Sequence, residues 1–88
     1  MNLSFLKQGE KVFIRTVMLY YTGEVVEVGD GYVKLTKAAW IADTGRLHSF
    51  LKSGKVNEFE GFPSGTYINT DTIIDLSYWP HKLLEGQN

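Results

Sequence analysis

The chain has 88 residues, 43% of them hydrophobic and 22% charged, which is the composition of one globular domain and argues against intrinsic disorder. It contains no cysteine, which excludes disulfides and thiolate metal sites, and its net charge of −1 means that only a local cluster of cations can hold an anionic partner. No apolar run approaches the about 18 residues that span a membrane, and "MNLSFLKQGEKV" lacks the apolar core of a signal peptide, so we expect a cytoplasmic protein without a membrane partner.

The first segment, "NLSFLKQG", predicts a short helical turn with Asn2 or Ser4 as its N-cap and Gly9 at its end. After Glu10 the pattern changes to the period of two that is typical of strands. In "KVFIRTVML", residues 11–19, both alternating faces are largely apolar. We therefore expect one face to pack against a core and the other against a second layer or a neighbouring subunit.

Two further strands are predicted over residues 20–29 and 32–42, joined by a tight Asp30-Gly31 turn. Gly23 in the first of them indicates a bend or bulge. In this strand the side chains expected to point inward are Val26 and Val28. In the next strand they are Val33, Leu35, Ala39 and Ile41, with Lys34, Thr36 and Trp40 on the other side.

Residues 43–65 break the strand pattern. Three apolar residues recur at the i, i+3, i+4 spacing of one helix face, and Gly54 follows where a C-cap glycine would stand. These apolar residues are Leu47, Phe50 and Leu51. The pattern predicts a short helix over 45–53 packed onto the barrel, and a strand over 46–51 is the competing interpretation. The "KVNEFEGFPSG" that follows is predicted to be a loop whose two phenylalanines contact the barrel.

The last part of the domain is predicted to contain two short strands, over 66–70 and 72–79, and residues 80–88 to form a loose tail after Pro80. Residues 1–88 then form a single, mainly β domain. Its expected architecture is a small, strongly bent, five-stranded antiparallel sheet or open barrel, with a short N-terminal helical turn and one inserted helix. Apolar residues on both faces of the final strands predict that another chain covers the edges of the sheet.

The turn before the third strand resembles the first motif of the Sm-like family (Sm, LSm and Hfq proteins). That motif couples a glycine of the second strand to an Asp-x-aromatic-Met-Asn-Leu turn. Here Gly23 is followed by "DGYVKL", with Asp30 and Tyr32 at the aspartate and aromatic positions. Lys34 stands in place of the asparagine, Val33 replaces the methionine, and one extra residue separates the glycine from the aspartate.

The segment "INTDTI" is similar to the second motif of that family, Ile-Arg-Gly-x-x-Ile. It keeps both isoleucines but has Asn69 and Thr70 where arginine and glycine usually stand. The resemblance covers residues 3–42 and 66–79, and residues 43–65 would replace a variable loop. These departures make the chain resemble an outlying member, of a viral or environmental branch.

The resemblance implies a homo-oligomeric ring of about five to seven subunits, in which the fifth strand of one subunit pairs with the fourth of the next. It also implies binding of single-stranded RNA, with a role in RNA processing or regulation. Carried over by position, Tyr32 would stack on a base and Lys34 would make a polar contact, while Asp30 would orient the loop. The implied RNA-binding residues are Asp30, Gly31, Tyr32, Lys34, Asn69 and Thr70.

Each of these roles has a simpler interpretation. Tyr32 suits a half-buried packing residue as well as a stacking platform, and Lys34 and Lys37 suit a solvated strand face. Eight aromatic residues exceed what one small core needs, which favours assembly with or without RNA; they are Phe13, Tyr20, Tyr21, Trp40, Phe59, Phe62, Tyr67 and Trp79. A structural ring or shell component without a nucleic-acid ligand is therefore the alternative function.

The sequence offers no convincing catalytic or metal-binding set. His48 and His81 are the only histidines, and two histidines without cysteine make a poor metal site. A triad of Asp43, His48 and Ser49 or Ser53 would place its members on one helical turn, which does not provide triad geometry. We therefore expect no enzymatic activity, no metal and no cofactor.

Overall fold

The computed structural model describes residues 2–87, which form a mainly β domain with one α-helix. All strand pairs are antiparallel, as expected from the hairpin-like spacing of the sequence. The elements in chain order are β1 (Lys11–Thr16), β2 (Tyr20–Gly29), β3 (Tyr32–Asp43), α1 (Leu47–Ser53), β4 (Glu58–Phe62), β5 (Thr66–Asn69), a 3-10 turn (Thr70–Thr72) and β6 (Ile73–Tyr78).

The six strands form one sheet in the order β4-β3-β2-β1-β6, with β5 also paired to β3. Strand β5 pairs with the first part of β3, from Tyr32 to Leu35, and β4 pairs with the second part, from Ala38 to Asp43. The strands β4 and β5 therefore lie end to end along the same edge of β3, and the sheet is five strands wide.

Strand β4 corrects the prediction of a loop before residue 66. In this segment Phe59 is buried and alternates with two exposed glutamates, which is the period of a strand. The pattern is only five residues long and is followed at once by Pro63, so the turn-forming residues dominate its composition. The two phenylalanines do pack, Phe59 in a core and Phe62 against one.

An irregularity in the β2–β3 pairing bends the sheet. Gly23 faces residues 37–38 across a register shift, and Lys37 has a positive φ of 48°. A Cβ at Gly23 would lie 2.9 Å from the Cβ of Leu35, so the close approach of the two strands requires a glycine here. The predicted bulge at Gly23 is confirmed, and side chains on β3 change sides after Lys37.

Two hydrophobic clusters result from this change of side. The first consists of Leu3, Leu6, Val12, Ile14, Val25, Val33, Leu35, Ala38 and Ile68. The second consists of Phe13, Ala39, Ile41, Phe50, Phe59 and Trp79. The placement of Ala39 and Ile41 on the same side as Val33 and Leu35 was therefore wrong. Both faces of β1 are buried as predicted, and the second layer comes from the chain itself.

On β2 the fully buried valine is Val25, where Val26 was expected to point inward. A second register shift between Val25 and Glu27 makes Val26 the extra residue, and Val28 still packs against the first cluster. A bulge reverses which side chains face the core, and simple alternation cannot anticipate it.

Helix α1 confirms the helical interpretation of the inserted segment over the competing strand. Gly54 is in the left-handed conformation, with φ 77°, and its N–H donates to the carbonyl of Phe50 at 2.8 Å. Phe50 is buried, and Leu47 and Leu51 are half-buried against the second cluster. The helix thus packs one apolar face onto the sheet, although it begins at Leu47, two residues later than predicted.

The N-terminal segment has a different structure from the one predicted. Residues 3–6 form one hydrogen-bonded turn, in which the N–H of Leu6 donates to Leu3 at 2.9 Å, and the predicted helix is absent. Asn2 does act as a cap, since its Oδ1 accepts from the N–H of Ser4. Leu3 and Leu6 are buried in the first cluster, so packing rather than helix formation fixes this segment.

The tail after Pro80 is packed where a loose segment was predicted. The side chain of Lys11 donates to the carbonyl of His81 at 2.6 Å, and Leu83 and Leu84 pack against the second cluster. Further on, the N–H of Gly61 on β4 donates to the carbonyl of Gly86 at 2.5 Å. The tail therefore covers the outer edge of β4. Residue 88 lies outside the described residues.

Among residues 2–87, no helix has both the length and the apolar character needed to cross a bilayer.

An ion pair joins the two strands that are farthest apart in the sequence. The Nε of Arg15 on β1 donates to Oδ1 of Asp75 on β6 at 2.8 Å, and its Nη2 donates to Oδ2. This hydrogen bonding holds the pKa of Asp75 below its ordinary value.

We expect Asp75→Asn to lower the melting temperature at pH 7 and to have a smaller effect at pH 2. Because the pKa of Asp75 is lower in the folded state, its stabilisation is present above the unfolded-state pKa of about 3.9 and is lost as the pH falls through the folded value. The effect should be small because both side chains are partly exposed. Thermal unfolding of the parent and variant at several pH values measures it, with Glu58→Gln as a control. An equal difference at pH 2 and pH 7 would contradict this account.

Candidate functional site

Six residues at the start of β3 and on its two neighbouring strands form a grid on one face of the sheet. The strand register gives one row of Glu27, Lys34 and Tyr67 and a second row of Gly29, Tyr32 and Asn69. Directly paired residues of antiparallel strands share a face, so all six lie on the face opposite the buried core residues between them. We call these six residues the outer grid.

Tyr32 is held in place by two contacts with β2. Its hydroxyl donates to Oε2 of Glu27 at 3.1 Å, and this hydrogen bond raises the pKa of Tyr32 above its ordinary value. Its ring lies so close to Gly29 that a Cβ there would be 2.1 Å from a ring carbon. Gly29 is therefore required because the tyrosine ring lies over its backbone.

Tyr67 extends the aromatic surface on the other side of β3. Its ring centroid is 5.5 Å from that of Tyr32 in an edge-to-face arrangement, and Nζ of Lys34 lies 5.2 Å from the Tyr67 centroid. Tyr67 is 61% exposed, so its ring is accessible to a ligand. Two aromatic rings and one ammonium group thus share a solvent-accessible surface.

Three of the predicted site residues belong to the outer grid: Tyr32, Lys34 and Asn69. The Oδ1 of Asn69 accepts from the N–H of Asp71 at 2.9 Å and caps the 3-10 turn. Its amide nitrogen is left as a hydrogen-bond donor at the surface.

The other three predicted site residues lie together at the end of the β2–β3 hairpin. The N–H of Thr70 donates to the carbonyl of Gly31 at 3.0 Å, so the two loops are joined. Gly31 has a φ of 83° and Asp30 does not have a positive φ, which excludes a type I′ turn. Asp30 is exposed and Thr70 is buried, and this end of the hairpin lines a shallow groove against the N-terminal turn. The predicted residues therefore form two adjoining groups.

Three members of the outer grid, Gly29, Tyr67 and Glu27, were missed by sequence reasoning. The signal for Tyr67 was its alternation with buried Ile68 in the short edge strand "TYIN". The signal for Glu27 was the two-residue Asp30-Gly31 turn, since counting back from it places Glu27 opposite Lys34.

The residues considered as a triad make local bonds in the structure. The Oδ1 of Asp43 accepts from the N–H of Gly45 at 2.8 Å, and the hydroxyl of Ser53 donates to the carbonyl of Ser49 at 2.8 Å. His48 is exposed on α1. Within residues 2–87 no three His, Cys, Asp or Glu side chains are grouped as metal ligands.

The sheet has two unpaired edges within the described residues, at β5 and at β6, since each pairs on one side only. Large hydrophobic side chains are exposed on both strands, namely Tyr67 on β5 and Ile74 and Tyr78 on β6. The edge of β4 is instead bridged by the tail, through Glu60 and Gln87.

Comparisons of the chain with protein-family models, curated proteins and solved structures found no match.

Proposed function

We propose that this chain is a ring-forming, Sm-like protein that binds single-stranded RNA on the outer grid. The observation that carries the proposal is the cluster of Tyr67, Tyr32 and Lys34, in which the Tyr32 ring and the Lys34 ammonium lie 5.5 and 5.2 Å from the centroid of the exposed Tyr67 ring. Such a cluster offers what a flexible, unpaired strand needs, namely a stacking surface for bases and a positive charge for phosphate.

The chemistry of the outer grid supports a nucleic-acid ligand independently of any resemblance. Each base stacked on an aromatic side chain contributes about 1–3 kcal/mol, whatever its identity. Lys34 supplies a cation on a chain whose net charge of −1 gives no general attraction for anions. The amide nitrogen of Asn69 adds a donor for a base or a phosphate.

The open edges of the sheet support the ring. Pairing of β6 with β5 of a second copy would satisfy the unpaired backbone groups of both strands and would bring the exposed Ile74 and Tyr78 into the contact. The same contact repeated around an axis closes a ring, and about five to seven subunits is the size that the resemblance implies. A ring repeats the outer grid once per subunit, which strengthens weak single-base binding through multivalency.

A structural ring or shell component without RNA is the second candidate. It is favoured by apolar side chains far from the outer grid, since Val17 and Met18 in the β1–β2 turn are 67% and 82% exposed. These residues lie beside Ile74 and line a surface that includes Trp40. An apolar surface of this kind fits a protein contact better than RNA.

We expect Tyr32→Ala to weaken binding of a labelled single-stranded oligoribonucleotide by about 1–3 kcal/mol per stacked base while the ring stays assembled. Lys34→Ala should weaken binding less and flatten its salt dependence, because one fewer phosphate is neutralised. Fluorescence anisotropy at several salt concentrations measures the affinity, and light scattering of the same samples measures assembly.

Phe5→Ala is the matched control, because Phe5 is a 54% exposed aromatic residue outside the outer grid. It should bind RNA as the parent does. If the parent binds no RNA at low salt, or Tyr32→Ala binds as well as the parent, the RNA function fails and the assembly function remains. If Tyr32→Ala dissolves the ring, the tyrosine is a packing residue.

A further inference from the structure

The outer grid contains a carboxylate that the proposed function does not use. Glu27 is exposed and is paired in the strand register with Lys34, one strand away from Tyr67. A carboxylate repels phosphate, so on general grounds it weakens nucleic-acid binding unless it contacts a base. Its position beside the Tyr32 ring is therefore a clue to which base is bound.

A hydrogen bond orients this carboxylate. The hydroxyl of Tyr32 donates to Oε2 of Glu27 at 3.1 Å, and the Tyr32 ring lies over Gly29 of the same strand, β2. Each carboxylate oxygen can accept more than one hydrogen bond, so both oxygens retain capacity for a ligand. The result is an acceptor pair held at the rim of an aromatic surface.

We propose that Glu27 makes the outer grid selective for guanine, by accepting hydrogen bonds from the N1–H and the N2 amino group of a base stacked on the tyrosines. This inference rests on the proposed RNA-binding function. Guanine is the one RNA base that presents two adjacent donors on its Watson–Crick edge. Two parallel hydrogen bonds to a carboxylate are strengthened by its negative charge, and they form only with a base whose two donors match its geometry.

The other bases match this carboxylate less well. Cytosine and adenine each place a ring-nitrogen acceptor beside their amino group, and uracil flanks its N3–H with two carbonyl oxygens. In each case one carboxylate oxygen faces a lone pair, which is repulsive. The proton from Tyr32 stays on its own oxygen throughout, so selection needs no change of protonation.

The inference is tested with uridine oligomers of one length that differ only at the central base, which is guanosine, inosine, adenosine, cytidine or uridine. The guanosine strand should bind at least about 10-fold more tightly than the adenosine, cytidine and uridine strands. A difference of this size is typical of hydrogen bonds to a charged group. Inosine lacks the N2 amino group and should fall between them. Equal affinity for all five strands would overturn the inference and leave RNA binding intact, whereas no binding to any strand would overturn both.

The variant Glu27→Gln tests whether the selectivity for guanine comes from this residue. The amide presents one acceptor and one donor, so the preference for guanosine over inosine should disappear, while affinity for the all-uridine strand should rise with the loss of a negative charge. Glu58→Gln removes the same charge at the opposite end of β3, where Glu58 pairs with Asp43, and should keep the preference. A guanosine preference that survives in Glu27→Gln would overturn the role of Glu27.

Guanosine monophosphate is titrated in parallel, because the same base chemistry is present in a free nucleotide. It should bind at least about 10-fold more weakly than the guanosine-containing strand, since it lacks the neighbouring bases and phosphates. If the nucleotide binds as tightly as the guanosine-containing strand, the proposal that the ligand is an RNA strand is overturned.

Discussion

Phe50→Ala is expected to lower the free energy of unfolding by about 3–5 kcal/mol. Phe50 is 1% exposed, and its ring centroid lies 5.2 Å from that of Phe13 and 5.0 Å from that of Trp79. It is the one residue of α1 that is fully buried, so its removal leaves a cavity where the helix, β1 and the tail meet. Because domains of this size are stable by only about 5–15 kcal/mol, the variant should lose a large part of its stability.

Urea unfolding followed by tryptophan fluorescence measures this change, since Trp79 contacts the mutated position. Leu51→Ala, on the same helix face but half-buried, should cost less than Phe50→Ala, and Lys52→Ala on the exposed face should cost almost nothing. If all three variants unfold at the same urea concentration, α1 does not contribute to the second cluster as described.

Ile74→Lys is expected to convert the proposed ring into monomers. Ile74 is 56% exposed on the unpaired edge strand β6, where an apolar side chain is costly in water and favourable in a subunit contact. A lysine at that contact would bury an unpaired charge at every interface of the ring, which costs several kcal/mol each time. The subunit mass is 10.0 kDa, so light scattering separates a ring from a monomer clearly.

Phe5→Lys is the control, because it makes the same change from an exposed apolar residue to a lysine on the N-terminal turn, which belongs to neither edge strand. It should leave the mass of the parent unchanged. A parent protein that is already a monomer at micromolar concentration would refute the ring, and an oligomeric Ile74→Lys variant would show that assembly uses another surface.

Local patterns predicted much of this fold from the sequence. Alternation located β1, β2 and β3, the spacing of Leu47 and Phe50 located α1, and the polar run after Asn69 located the break between the last two strands. Each of these signals arises from a few consecutive residues. The packed tail depends instead on partners distant in the sequence, the side change at Lys37 depends on an irregularity in the pairing with β2, and the alternation that marks β4 covers only five residues.

The same distinction applies to the candidate site. Tyr32 and Lys34 are two residues apart on one strand, so their common face followed from alternation alone. Tyr67 joins them only because β5 pairs with the first part of β3. Glu27 joins them because the two-residue Asp30-Gly31 turn sets the register in which it pairs with Lys34, and the extra residue Val26 lies beyond that pair.

The pairing of β1 with β6 has a consequence for the order of folding. The residues that meet there, such as Arg15 and Asp75, are 60 positions apart, whereas β1, β2 and β3 are joined by short turns. Closing the longer loop costs more chain entropy, so the three-stranded meander should form early and β6 should dock late. A strand that docks late, through the short turn Thr70–Thr72, can also dock on the β1 of another copy. Refolding at high concentration is therefore expected to yield strand-swapped dimers alongside the correctly folded chain.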